Sequence, residues 1–171
     1  MKNSKFLKYL AITSVITIGS TLLQADEYNN EKMMNAHKNG DYKSALNFGL
    51  KSLEVDLMTF NNDRNHPELA ENYNNIGALY ADLKQYKKAL YFYHKALSIN
   101  KATWGTEDPA VAKNYSNIGG VYYKMGNLHK ALRYATLALN IRKTWGDSNA
   151  YHIESQNDVN LIKKRLATAS K

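Results

Sequence analysis

The residue types that could do chemistry are few and scattered. The chain has 171 residues, five histidines and no cysteine. A helical metal site needs two histidines four residues apart. His37, His66, His94, His129 and His152 never stand so, and no acids gather beside them. Without cysteine there is neither a thiolate nucleophile nor a thiolate metal site. Asp63 and Asp158 are isolated, so no carboxylate pair is set for general acid–base work. Phosphate loops and nucleophile elbows are absent too. The sequence implies no catalytic residue, no metal and no cofactor: a protein that is not an enzyme.

What does recur is amides and tryptophans. "NYNNIGALY" begins at Asn72 and "NYSNIGGVY" at Asn114, with six of nine positions identical. Asn75 and Asn117 therefore meet the same environment twice. A primary amide offers two donors and an acceptor, so it can pair with both groups of a peptide unit without reading side chains. The same amide could instead satisfy groups in loops or between helices. Trp104-Gly105 and Trp145-Gly146 recur as well. They could form a ligand cage. The favoured reading is that each tryptophan closes a long helix against the next unit, with glycine as its C-cap.

These residues need elements to position them, and the repeat supplies those elements. His66 to Ile99 can be laid against Asp108 to Ile141 with fourteen of 34 positions identical. A weaker copy lies upstream, where "YKSAL" at Tyr42 matches "YKKAL" at Tyr86. Leu69, Tyr73, Ile76, Tyr80 and Leu83 are spaced by fours and threes, as are Val111, Tyr115, Ile118, Tyr122 and Met125. That is the apolar stripe of a helix, not a strand. Asp108-Pro109 reads as an N-cap with proline at the first helical position, and His66-Pro67 as its weaker equivalent. "KQY" and "GNL" break the pattern at 84–86 and 126–128, and a second helix follows each break. Gly77 and Gly119 fall mid-helix at a cost of about 1 kcal/mol each against alanine. That cost implies a neighbouring helix approaching closely. Helix pairs repeated in this way predict an all-α fold, an α-solenoid.

The residues now resemble a known family. Tyr73, Ile76, Gly77, Tyr80, Ala89, Tyr93 and Ala96 match, in order, the tetratricopeptide pattern of a large residue, Leu-Gly, Tyr, Ala, an aromatic and Ala. So do Tyr115, Ile118, Gly119, Tyr122, Ala131 and Ala138, with Ala135 replacing the aromatic. The 42-residue period and the "NNIG" core look like the kinesin-light-chain type of tetratricopeptide repeat. In the first copy Met33 stands at the glycine place and Gly49 at the aromatic place. The resemblance implies about three units, at 26–65 (degenerate), 66–107 and 108–149, and a capping helix and tail at 150–171. It also implies a concave groove that binds a protein or peptide. In that groove Asn75 and Asn117 would hold peptide backbone, flanked by Glu71, Asn74, Ala78 and Ala81. Across from these would lie Lys113, Ser116, Gly120 and Tyr123, the last as an aromatic anchor.

The chain's beginning reads as a targeting segment. Lys2, Lys5 and Lys8 precede an uncharged run from Leu10 to Leu23, then Ala25 and the acids Asp26 and Glu27. This is the pattern of a secretory signal peptide over 1–25, and the run is short of the roughly 20 apolar residues of a membrane helix. An uncleaved signal anchor is the alternative. After cleavage no membrane span is expected, and the protein would be periplasmic or secreted. Three of the lysines behind the net charge of +8 lie in this segment. The others interleave with acids except for one run, Lys163-Lys164-Arg165, so no basic stripe with aromatic platforms offers itself to nucleic acid. The expected function is an exported, non-catalytic scaffold for a protein or peptide partner. The alternative is a structural subunit that docks through its solenoid edge into an envelope complex or self-associates.

Overall fold

Every described element is a helix, because apolar side chains recur at helical spacing and each run is stopped by a left-handed residue or a cap. The computed structural model describes residues 2–145 and 150–169, with side chains from residue 19 onward. Two compact units are formed, Met1–Arg64 and Asn65–Lys171. The first holds α1 (Lys2–Lys38) and α2 (Tyr42–Thr59). The second holds α3 (Leu69–Asp82), α4 (Tyr86–Trp104), α5 (Pro109–Lys124), α6 (Leu128–Lys143) and α7 (Ala150–Ala169). No strand occurs among the described residues.

The turn within each helix pair is written the same way three times. Gly40, Lys84 and Gly126 occupy equivalent positions and all have positive φ, at 76°, 58° and 76°. Glycine takes that conformation freely, whereas Lys84 does so against the steric cost of its Cβ. The next residue caps the second helix. Asp41 accepts from the Ser44 amide and Asn127 from the Lys130 amide, but Gln85 makes no such bond. Asp108 accepts from the Ala110 amide at the start of α5, with Pro109 in the first turn. His66-Pro67 opens a turn in which the Leu69 amide donates to the His66 carbonyl at 3.0 Å and the Glu68 amide to His66 Nδ1 at 3.4 Å, and α3 begins at Leu69.

In the second unit the helices stack in chain order. Leu69, Ile76, Val111 and Ile118 are fully buried, as are Ala89, Ala96, Ala131 and Ala138 on the facing helices. Small residues on α4 and α6 let the backbones approach. A Cβ added to Gly119 would meet the Ala135 nitrogen at 3.3 Å and the Ala131 carbonyl oxygen at 3.4 Å. At Gly77 it would meet the Tyr93 ring at 2.8 Å. Tyr93 thus fills the slot that is left to backbone in the next pair, where Ala135 stands.

A second aromatic position lies one residue earlier. Phe92 stacks on Tyr80 at 5.4 Å between centroids and leans on Tyr73, while Tyr134 stacks on Tyr122 at 5.6 Å and leans on Tyr115. Lys88 and Lys130 lie over Tyr80 and Tyr122 at 5.2 and 5.1 Å. The two pairs share one aromatic motif, finished by a cation on the ring face. In the first unit Phe48 takes the same place, edge-on to Tyr28. The helix α7 covers α6: Val159 and Ile162 pack with Ala131 and Ala135, and Tyr122, Tyr123 and Leu166 close the cluster. Arg142 reinforces that contact by donating to Ser155 Oγ and, at 3.3 Å, to the Tyr151 carbonyl.

Candidate functional site

The site lies along the seam between α3 and α5, and polar pairs zip most of it. At one end Lys124 Nζ approaches Asp82 Oδ1 at 3.9 Å. In the middle Asn117 Nδ2 donates to Asn74 Oδ1 at 2.7 Å. Asn114 Nδ2 donates to the same oxygen at 3.4 Å, and Asn100 Nδ2, from the end of α4, donates to Asn114 Oδ1 at 2.7 Å. Four amides from three helices thus form one chain. Three are buried: Asn114 is 1% exposed, Asn74 and Asn100 8%. Buried amides are stable only when they spend their hydrogen bonds on one another.

At the other end the seam opens into a cleft of about 460 Å³. Its α3 wall carries Ala70, Glu71 and Asn74, with Pro67 and Glu68 just before the helix, its α5 wall Ala110, Lys113 and Asn114, and α4 contributes Asn100 and Trp104. Trp104 is the last residue of α4, and Gly105 caps the helix with φ 87°. The indole is 63% exposed, so Trp104 does not close its helix on the next unit. Trp145 reaches back instead, its Nε1 donating to the Glu107 carbonyl at 3.2 Å. Gly146 lies outside the described residues.

Of the residues expected in a groove, the structure brings Glu71, Asn74 and Lys113 together around the cleft. Asn117 differs from expectation: its amide is committed to Asn74 rather than turned to solvent, because the α3–α5 seam is narrow there. Asn75 is half-buried and its side chain makes no hydrogen bond to the described residues. Ser116 is half-buried outside the cleft lining. Tyr123 is no open anchor. It packs into the α6–α7 cluster, and the Arg165 guanidinium covers its ring at 4.9 Å. Asn100 and Asn114 were not foreseen at the site, and Trp104 was weighed there only as the less favoured ligand cage. Asn114 had a signal, since it opens the second copy of the repeated phrase. The corresponding position to Asn100 in the next pair is Arg142, which also reaches to the following helix. Among the described residues no group of three or more His, Asp or Glu could hold a metal, and no helix is long and apolar enough to cross a membrane.

Paired helices stacked by small residues, with an amide-lined cleft on the seam between first helices, define a helical-repeat module. The tetratricopeptide repeat family model matches residues 33–102 and 68–144, together more than half of the chain. The chain belongs to the tetratricopeptide repeat family, and its α-solenoid of helix pairs with a terminal helix is the fold of that family. It is similar in fold to BtubC (BKLC) from P. vanneervenii, with a TM-score of 0.74 and 20% identity over 83% of this chain and 56% of that one. It also resembles the nearly identical, kinesin-light-chain-like TPR repeats from Podosopora anserina, with a TM-score of 0.70 and 16% identity over 80% of this chain and 64% of that one. A third neighbour is the first TPR of Spaghetti (RPAP3) bound to the HSP90 peptide SRMEEVD, at a TM-score of 0.59 and 21% identity over 84% and 94%. The chain thus spans less than two thirds of the first two. No curated protein sequence matches it significantly.

Proposed function

We propose that this protein is a non-catalytic scaffold that holds a segment of another protein on the α3–α5 seam. The observation that carries the reading is the cleft: three buried asparagines at its base and an exposed tryptophan at its rim. An exposed indole beside spare amide groups suits a ligand that brings both apolar surface and peptide groups. The peptide-bound Spaghetti TPR is a fold relative in which such a module carries a peptide. Asn75, with its amide unspent, extends the surface along α3. The test uses the full chain immobilised against an envelope fraction of the native host. Trp104→Ala and Asn75→Ala should each lose a partner that Tyr91→Ala retains, with all three melting like the parent. Retention of every partner by Trp104→Ala counts against this seam.

Export belongs to the same reading. The basic start, the uncharged run and Ala25 support removal of residues 1–25. Packing of α1 supports it too: Leu23 is 62% exposed, whereas Ser52, fully buried on α2, donates to Asp26 and Asn30, and Asn29 and Met33 are buried. Cleavage after Ala25 would leave those contacts intact. Intact mass of protein from its native host should begin at Asp26, and a retained 1–25 segment in the membrane fraction would favour an anchor. A second reading, docking or self-association through the solenoid edge, draws on α7, where Tyr151, Ile153 and Leu161 are more than half exposed. Light scattering that gives a dimer mass at micromolar protein would favour it.

A further inference from the structure

The α3–α5 seam carries acids on α3 and bases on α5 in a matched register. Asp82 and Lys124 form one such pair and close at 3.9 Å. Three helical turns earlier on each helix stand Glu71 and Lys113, eleven residues before their counterparts. These two also face one cleft, but neither forms an ion pair with a described residue. The seam is zipped at Asp82–Lys124, bridged at Asn117–Asn74 and open at Glu71 and Lys113. The Glu71 carboxylate, with Glu68 beside it in the cleft lining, thus lies on the wall opposite the Lys113 ammonium.

The base of the cleft is also unfinished. Asn74 spends its Oδ1 twice, as acceptor from Asn114 and Asn117, so its Nδ2 donors are free. Asn100 spends one donor on Asn114, and its Oδ1 accepts nothing from the described residues. Both side chains are only 8% exposed and both line the cleft. Neither atom is buried without a partner, so Asn74 Nδ2 and Asn100 Oδ1 open on the cleft, where a ligand that brings an acceptor and a donor can meet them. Trp104 offers a ring face on which a cationic side chain can lie.

We propose that the cleft binds a dipolar peptide segment, one in which a lysine or arginine stands close to an aspartate or glutamate. The cation faces Glu71 and the Trp104 ring. The anion faces Lys113, and the intervening peptide unit meets Asn74 and Asn100. The inference rests on the scaffold reading above and specifies the chemistry of the partner. Opposite charges on the two walls disfavour a segment of a single sign, since one end would always meet its like.

The test is an NMR titration of the full chain with three blocked pentapeptides: acetyl-Gly-Lys-Ala-Glu-Gly-amide, the same peptide with Ala for Glu, and the same with Ala for Lys. A fourth arm, free lysine, distinguishes a peptide site from an amino-acid site. The Trp104 indole and the side-chain amides of Asn74 and Asn100 are followed. The dipolar peptide should bind about two- to fivefold more tightly than either single-charge peptide, the loss expected for one rim ion pair. Lys113→Glu should turn the preference to the lysine-only peptide. Glu71→Lys/Lys113→Glu should restore the dipolar one. Both side chains are exposed, so these variants should melt like the parent. Equal binding of all three peptides, tighter binding of free lysine, or no shift at Trp104 with any probe would each overturn the proposal. A captured partner that needs Trp104 but ignores the charge at 71 and 113 would overturn it and leave the scaffold reading in place.

Discussion

Replacing Gly77 by alanine tests how the second unit is held together. In an open helix the change should help by about 1 kcal/mol, because glycine has more freedom to lose on folding. Here the new methyl would stand 2.8 Å from Tyr93 Cδ1, 2.9 Å from Cε1 and 3.1 Å from Cγ. Tyr93 is 4% exposed, and the near side of its ring makes the contact, so it cannot swing aside. Overpacking of this kind costs about 1–3 kcal/mol. The propensity gain offsets part of that, leaving a net loss of about 1–2 kcal/mol at the upper end of the range. For a domain of this size each kcal/mol moves the thermal midpoint by about 3–6 °C. Gly120→Ala supplies the control, since its Cβ would meet nothing within 4 Å and it lies on the exposed face of α5. It should raise the midpoint by a few degrees for about 0.5–1 kcal/mol. The assay is a melt followed by circular dichroism at 222 nm. In Gly77→Ala/Tyr93→Leu the two losses should be less than additive, because the shorter side chain vacates the clashing position. A Gly77→Ala protein that melts at or above the parent would refute the close α3–α4 approach.

Three further outcomes follow from comparing one repeat with another. Lys84 holds φ 58° where its equivalents are glycine, so Lys84→Gly should stabilise, and Gly126→Ala should cost about 1 kcal/mol by strain alone, its Cβ meeting nothing; both are read by urea midpoint. Gln85 gives α4 no side-chain cap, and Gln85→Asp, copying Asp41 at the same turn, should add about 0.5–1 kcal/mol at neutral pH. That gain should fade under acid, as it does for Asp41. The Ser44 hydrogen bonds hold the Asp41 carboxyl below its usual value, so its contribution is full above the unfolded pKa and is lost as pH falls through the folded one. Asn114→Ala should cost about 1–3 kcal/mol by leaving the Asn100 donor without its acceptor, while Asn74 keeps its bond from Asn117; Asn75→Ala should leave the melt unchanged.

The helices were legible because each buries one stripe, and spacing alone reports a stripe. Asp108-Pro109 was legible for a local reason, since cap and first turn lie within three residues. The glycines at 77 and 119 announced close approach through their cost. What lay hidden depended on which helix sits beside which. Nothing in the sequence around Tyr123 shows that α7 folds back and lays Arg165 over the ring. Asn114 and Asn74 are forty residues apart, and their hydrogen bond exists only once α3 and α5 are neighbours. Phe92 and Tyr134 escaped notice because the family pattern marks the next position, where Tyr93 and Ala135 differ in size. Trp104 was read as a helix closure because Trp145 repeats it, yet only Trp145 finds a carbonyl to hold.

The central claim is that a segment of another protein lies in the α3–α5 cleft. It is tested most directly by placing a photo-crosslinking phenylalanine analogue at position 104 in the native host, and at Tyr91 as a control. Tyr91 is 58% exposed on α4 and outside the cleft lining. After irradiation, mass spectrometry should find one recurrent peptide segment attached at 104 and not at 91. Attachment at both positions alike, or at neither, would contradict the account.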